Sequence, residues 1–142
     1  MPPMADPSAR AAHTDPDAPA SPEQQPLPEP VARKPVEQKS ASEWAYERLI
    51  LYIRNFEEQL DEEHEVAMGF AGSEAGVMRI EGIGYFAPDI LTFYGSDMTG
   101  TRTQLVQHVS QLNVMLRAVP RQDGEERPRR IGFRLAEQLE RD

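Results

Sequence analysis

At 142 residues, with 39% hydrophobic residues and a formal net charge of −9, the chain has room for one compact domain plus flexible extensions. It contains no cysteine, which excludes a disulfide staple, a thiolate zinc site and a cysteine nucleophile. Lys and Arg total 15 against 24 Asp and Glu, so any polyanion meets a repulsive average field.

Ten of the 13 prolines fall between Pro2 and Pro35, and no Phe, Tyr or Trp precedes Trp44. Such a segment cannot bury enough apolar surface to offset its ordering entropy, so residues 1–39 read as a disordered, Pro-rich tail. Its proline pairs fit a polyproline II ligand, but a solvated spacer is the plainer reading. The start, MPPMADPSARAAHTDP, has no continuous apolar core of signal-peptide length, and no later run approaches a membrane span. The expectation is a cytoplasmic protein with no membrane partner.

Order is expected over 40–120. Ser40 with Glu43 three residues on fits a capping box, and Ser42 is an alternative N-cap. Tyr46, Ile50, Ile53, Phe56 or Glu57, and Leu60 then repeat at three- and four-residue steps, widened by Trp44 and Leu49. This is an amphipathic helix ending near Glu63. The run Asp61, Glu62, Glu63, His64, Glu65 has the residue types of a divalent-metal site. Consecutive side chains point in different directions, however, so no metal and no cofactor is expected.

From Glu65 the period changes to two. Val66, Met68 and Phe70 alternate with Ala67, Gly69 and Ala71, and GSEAG reads as a turn. In VMRIEGIGYF, Met78 and Ile80 alternate with Arg79 and Glu81, and Gly82 and Gly84 permit a sharp bend or bulge. A brief AP connection leads to the strand DILTFYG and the turn SDMTG. Tyr85, Phe86, Phe93 and Tyr94 should divide between core and interface. Residues 103–118 are ambiguous. Leu105, Val109, Leu112, Leu116 and Val119 sit at helical steps, whereas a strand reading puts Val106, His108 and Ser110 on one face. Beyond Pro120, residues 121–142 read as a flexible polar linker and a short element docking through Ile131, Phe133 and Leu135.

The stretches WAYERLILYIRNFEEQLDEEHEVAMGFAG, FYGSD, QLVQHVSQLNVML and RRIGFRLA, in that order, resemble a family of short bacterial proteins known as domain of unknown function 6173. The resemblance runs from about Trp44 to Leu135 and implies no activity. The element order, a helix and five short strands with a long bent second one and a closing AVPR, also resembles the Sm-like barrel of the bacterial RNA chaperone Hfq. That resemblance implies strands on either side of a 3₁₀ turn near VSQL. The fold class expected is therefore α+β: an amphipathic helix, then a small, strongly bent antiparallel sheet or an Sm-like five-stranded barrel.

In the Sm-like comparison, His108 matches the histidine of a Tyr-Lys-His signature that helps bind uridine-rich RNA. Here Gln107 stands in place of the lysine and supplies no ammonium for a phosphate. From Ser42 to Val119 there are 12 acidic residues against five Arg and no Lys, a net of −7. RNA is thus disfavoured as a partner, and the alternative reading is an Hfq-like RNA-binding regulator that uses His108, Gln107 and the local positive spot of Arg127, Arg129 and Arg130.

No catalytic residue is nominated. Ser110 lies near His108, but spacing offers no orienting acid, and a half-buried structural histidine is the plainer reading. The expectation is a non-enzymatic binding or assembly module that forms a homo-oligomer. Gln107, His108, Ser110, Gln111 and Asn113 are the candidate interface residues. Arg129, Arg130, Ile131 and Phe133 form a candidate C-terminal motif for a protein partner.

Overall fold

The structure is a computed structural model that describes residues 38–70, 76–122 and 124–141, together with Pro28, Ala32, Lys34 and Pro35. Most of the tail expected to be disordered, and most of the GSEAG turn, lie outside the described residues.

Helix α1 spans Ala41–Glu58, and the Ser40 side chain accepts the Glu43 N–H at 3.1 Å, as its capping pattern required. It ends five residues before Glu63. Gln59 still has helical backbone angles, but its amide side chain turns back onto Asn55 and the chain leaves the axis. The apolar stripe faces inward: Ile50 and Ile53 are fully buried, with Tyr46, Phe56 and Leu60 packed at the margin of the same core.

Five strands follow: β1 (His64–Phe70), β2 (Val77–Phe86), β3 (Ile90–Asp97), β4 (Arg102–His108) and β5 (Val114–Pro120). They form one antiparallel sheet in the order β4-β3-β2-β1-β5. Of the two expected forms, the open sheet is the one found. β4 and β5 are its edges, and no ladder between them closes a barrel.

A register shift between Ile80 and Gly82 rephases β2, so that Ile80 and then Ile83 both reach the core. Gly95 sits opposite this irregularity. A Cβ there would come within 1.9 Å of the Arg79 carbonyl oxygen, so only glycine fits. On the other face Tyr94 lies over Gly82 and Gly84, whose missing side chains leave room for its ring. Phe93 is wholly buried beside Leu91 and stacks edge-on against Phe70 at 5.0 Å. Tyr85 and Tyr94 are partly exposed, and Phe86 projects almost freely.

Residues 103–118 are strands, contrary to the helical count. β4 pairs with β3 from Arg102 to His108, a 3₁₀ turn occupies Val109–Gln111, and β5 pairs with β1 along its whole length. The 3₁₀ turn breaks the phase between two period-two patterns, and that break mimics a 3.6-residue repeat.

The segment after Pro120 ends in helix α2 (Ile131–Arg141), which packs across α1 and touches β2. Ile131, Leu135, Ala136 and Leu139 join the same core as α1 and the sheet. Docking through Ile131 and Leu135 is found, but Phe133 is 56% exposed because it lies on the opposite side of the helix.

Candidate functional site

Among the described residues the strand order leaves two backbone edges, β4 and β5, without a neighbour. Along β4 exposure alternates: Leu105 packs against the core, while Arg102, Gln104, Val106 and His108 face outward. β5 does the same, with Val114 and Leu116 on the core side and Met115 and Arg117 outward. Val106 is 59% exposed and Met115 65%, so each edge carries one large apolar side chain in water.

The candidate residues cluster where β4 ends. His108 is the N-cap of the 3₁₀ turn. Its Nδ1 accepts the Ser110 N–H at 3.0 Å and lies 2.8 Å from Ser110 Oγ. That acceptance fixes the ring proton on Nε2, which lies 3.0 Å from Asp89 Oδ2. Asp89 is 19 residues upstream and no spacing rule selects it; the pairing of Ile90 with His108 carries it there. The Val109 N–H also donates to the Asp89 carbonyl, at 2.7 Å. Asp89 thus braces the β2–β3 turn against the start of the 3₁₀ turn.

By distance alone this is a Ser-His-Asp arrangement. Its geometry is that of a brace: the Nδ1 lone pair that would activate Ser110 Oγ is already engaged by the Ser110 amide. Gln107 turns to the core side, where its Oε1 is buried without a hydrogen-bond partner among the described residues. Gln111 and Asn113 are exposed on the loop that carries the chain from β4 across to β5.

The C-terminal candidates sit elsewhere and are held differently. The Arg130 guanidinium donates to the His64 carbonyl at 2.7 Å and the Asp61 carbonyl at 2.8 Å. The Arg129 N–H donates to Glu65 Oε2, and its guanidinium lies 3.6 Å from Glu81. Ile131 is in the core, so its apolar surface is used within this chain rather than offered to a peptide-binding partner. Glu65 Oε1 also receives the Arg79 guanidinium at 2.7 Å, which pairs both buried charges.

Glu57, on the buried side of α1, accepts the N–H groups of Gly132 at 2.9 Å and Phe133 at 3.2 Å, and so caps α2 from outside the helix. Burial pushes its carboxyl above the ordinary range, against the opposing pull of those two N–H groups and of Arg130. Its place in an otherwise apolar stripe was the signal in the sequence. Gly132 gave none: a Cβ there would meet the Arg54 backbone nitrogen at 2.8 Å, which reflects how closely the two helices approach.

The acidic run after α1 does not converge. The Asp61 carboxylate is held below its usual range by a hydrogen bond from His64 at 2.7 Å, reinforced by the Glu63 N–H. Among the described residues no three His, Asp or Glu side chains gather to hold a metal, and no helix is long and apolar enough to cross a membrane. A groove of about 620 Å³ lies between the β3–β4 turn and the end of β5, lined in part by Arg79, Met98, Pro120 and Arg121. Arg79, its most buried cation, is already committed to Glu65 and to the Pro120 carbonyl.

The model of DUF6173, a family of unknown function, covers residues 36–134. No curated protein and no solved structure matches the chain.

Proposed function

We propose that this chain, which belongs to the DUF6173 family of unknown function, is an acidic, non-enzymatic assembly module that self-associates through the free edges of its sheet. The observation that carries the reading is the state of β4. Its seven residues, RTQLVQH, include no Pro, Lys, Asp or Glu, their one fixed charge is Arg102 at the very start, and Val106 stands exposed at the middle. Monomeric proteins blunt such an edge with charge, proline or a covering loop, and an unprotected one pairs with another strand. A core of this size also gains from burial between copies.

Catalysis is not part of this proposal, because the His108 lone pair is spent on the turn it caps. RNA binding is set aside as well. The net charge of −9 opposes it, and Arg129 and Arg130 are engaged with carbonyls and carboxylates of their own chain. The test is the solution mass of the full chain by light scattering on a sizing column, at physiological salt and two concentrations. A stable whole-number multiple of the chain mass is expected. A monomer at both concentrations overturns the reading.

A further inference from the structure

We propose that the outward row of α1 is a binding strip for a lysine-bearing segment, and that the chain's own Lys34 and Lys39 fasten the residues before Ser40 onto it as a strap that lifts without unfolding the domain. The strip is on α1 and is separate from the strand edges of the sheet.

Glu43, Glu47, Leu51 and Asn55 recur every fourth residue and form one row along α1. The row turns away from the stripe of Ile50 and Ile53 that enters the core. Leu51 is only 2% exposed, yet it lies outside the core cluster of α1, α2 and the sheet, so its cover comes from beyond that core. The segment that leads into the helix lies along the same row.

Lys39 Nζ donates to Glu47 Oε1 at 2.7 Å and stands 5.4 Å from the centre of the Trp44 ring. The Lys39 and Glu47 side chains are 1% and 6% exposed. An ammonium sealed from water needs compensating charge, and here it has a carboxylate and the face of an indole. Lys34 meets Glu43 at 2.9 Å, but its side chain is 45% exposed. The fastening is therefore graded. The outer pair is screened by water and opens at little cost, whereas parting the inner pair leaves a carboxylate buried without its counter-ion.

The start of α1 has its own supports. The Ser40 side chain accepts the Glu43 N–H, the Ser42 N–H donates to the Pro88 carbonyl at 3.0 Å, and the Ser42 hydroxyl donates to the Phe86 carbonyl at 3.4 Å. These bonds tie the helix end to the β2–β3 turn, so the residues before Ser40 can swing away with the helix intact. Lifting them uncovers an indole, a carboxylate and an apolar seat at Trp44, Glu47 and Leu51. That set recognises a lysine side chain with apolar neighbours.

Trp44 is the only tryptophan, so its fluorescence reports on the strip in the full-length chain. Lys34→Ala/Lys39→Ala removes both ammonium groups and should make acrylamide quenching of Trp44 steeper, while the urea midpoint falls far less than for a core substitution. Glu47→Gln keeps the shape of the inner seat and drops its charge. Trypsin should then cut the 39–40 bond roughly tenfold faster or more than in the unmodified chain. A synthetic peptide of residues 28–40 is added to the double variant at about millimolar concentration, the effective concentration a short tether supplies. It should restore the shielding of Trp44, and the same peptide with Lys39→Ala should not. Unchanged quenching and unchanged cleavage overturn the strap. A urea midpoint lowered as far as by a core substitution overturns its lifting, because the segment is then part of the fold. Shielding that the lysine peptide does not restore, or that both peptides restore equally, overturns the strip as a lysine-binding site.

Discussion

QHVSQLN and RRIGFRLA, the two stretches that supplied the candidate site residues, are built on opposite principles. The first is held by near neighbours, the His108 ring capping its own turn, plus one brace from Asp89, and its polar groups other than Gln107 stay in water. The second is held by groups 64 to 76 positions away: Glu65, His64, Asp61 and Glu57 all accept hydrogen bonds from residues 129–133. Its apolar side chains complete the core. A small domain with one helix over an open sheet leaves apolar surface uncovered, and a C-terminal amphipathic helix within reach is drawn in to cover it. Functional freedom therefore lies with the locally held stretch and structural duty with the remote one.

Leu135→Ala tests this division most severely. It removes a side chain buried between α2 and the core and should cost about 2–5 kcal/mol, read as a lower urea midpoint for the whole domain. A separate early transition confined to α2 would show instead that the helix is an appendage. Gly132→Ala should cost less, about 1–3 kcal/mol, because the new methyl presses on the α1 backbone at Arg54. A neutral result would mean that the two helices can separate without loss.

The pH profile sharpens the comparison further. Glu57 is raised in the folded state, chiefly by burial, so the fold binds its proton more readily than the unfolded chain does. That contribution is present below the ordinary 4.5 and is lost as pH rises through the raised folded value. Glu47 is raised by burial as well, despite Lys39 at 2.7 Å, and acts in the same sense. Asp61 and Asp97 are lowered by hydrogen bonds and oppose the trend only as pH falls below their ordinary 3.8. Thermal stability should therefore rise as pH is brought from neutral towards 4.5, and Glu57→Gln should flatten that rise without abolishing it. An unchanged slope would take Glu57 out of the account.

What the sequence made legible follows the same division. The α1 cap and stripe, the period-two strands and the bend at Gly82 are local patterns, and each is found. The docking of Ile131 and Leu135 was also readable, since apolar residues that recur beyond a polar linker need a place to be buried. Asp89 beside His108 and Glu57 beside Gly132 were not readable, because strand pairing and helix crossing bring those partners together. The helical spacing from Leu105 to Val119 misled for a related reason. Val119 is buried opposite Glu65, on the other face from Leu116, so one apparent stripe serves two surfaces.

The smallest expected effect is the one that bears most directly on the exposed stretch. His108→Ala removes the cap of a single 3₁₀ turn and the Asp89 contact, both half in water, and should cost about 1 kcal/mol or less. The turn keeps its backbone support through the Val109 N–H on the Asp89 carbonyl and the Leu112 N–H on the Val109 carbonyl. Thermal unfolding of this variant beside Leu135→Ala gives both numbers under one condition. If His108→Ala were as damaging as the core substitution, the turn would be carrying the fold, and the contrast between a structural C-terminus and a free edge would collapse. A small loss with an unchanged solution mass would make His108 a turn residue beside the proposed interface, leaving assembly to the strand edges themselves.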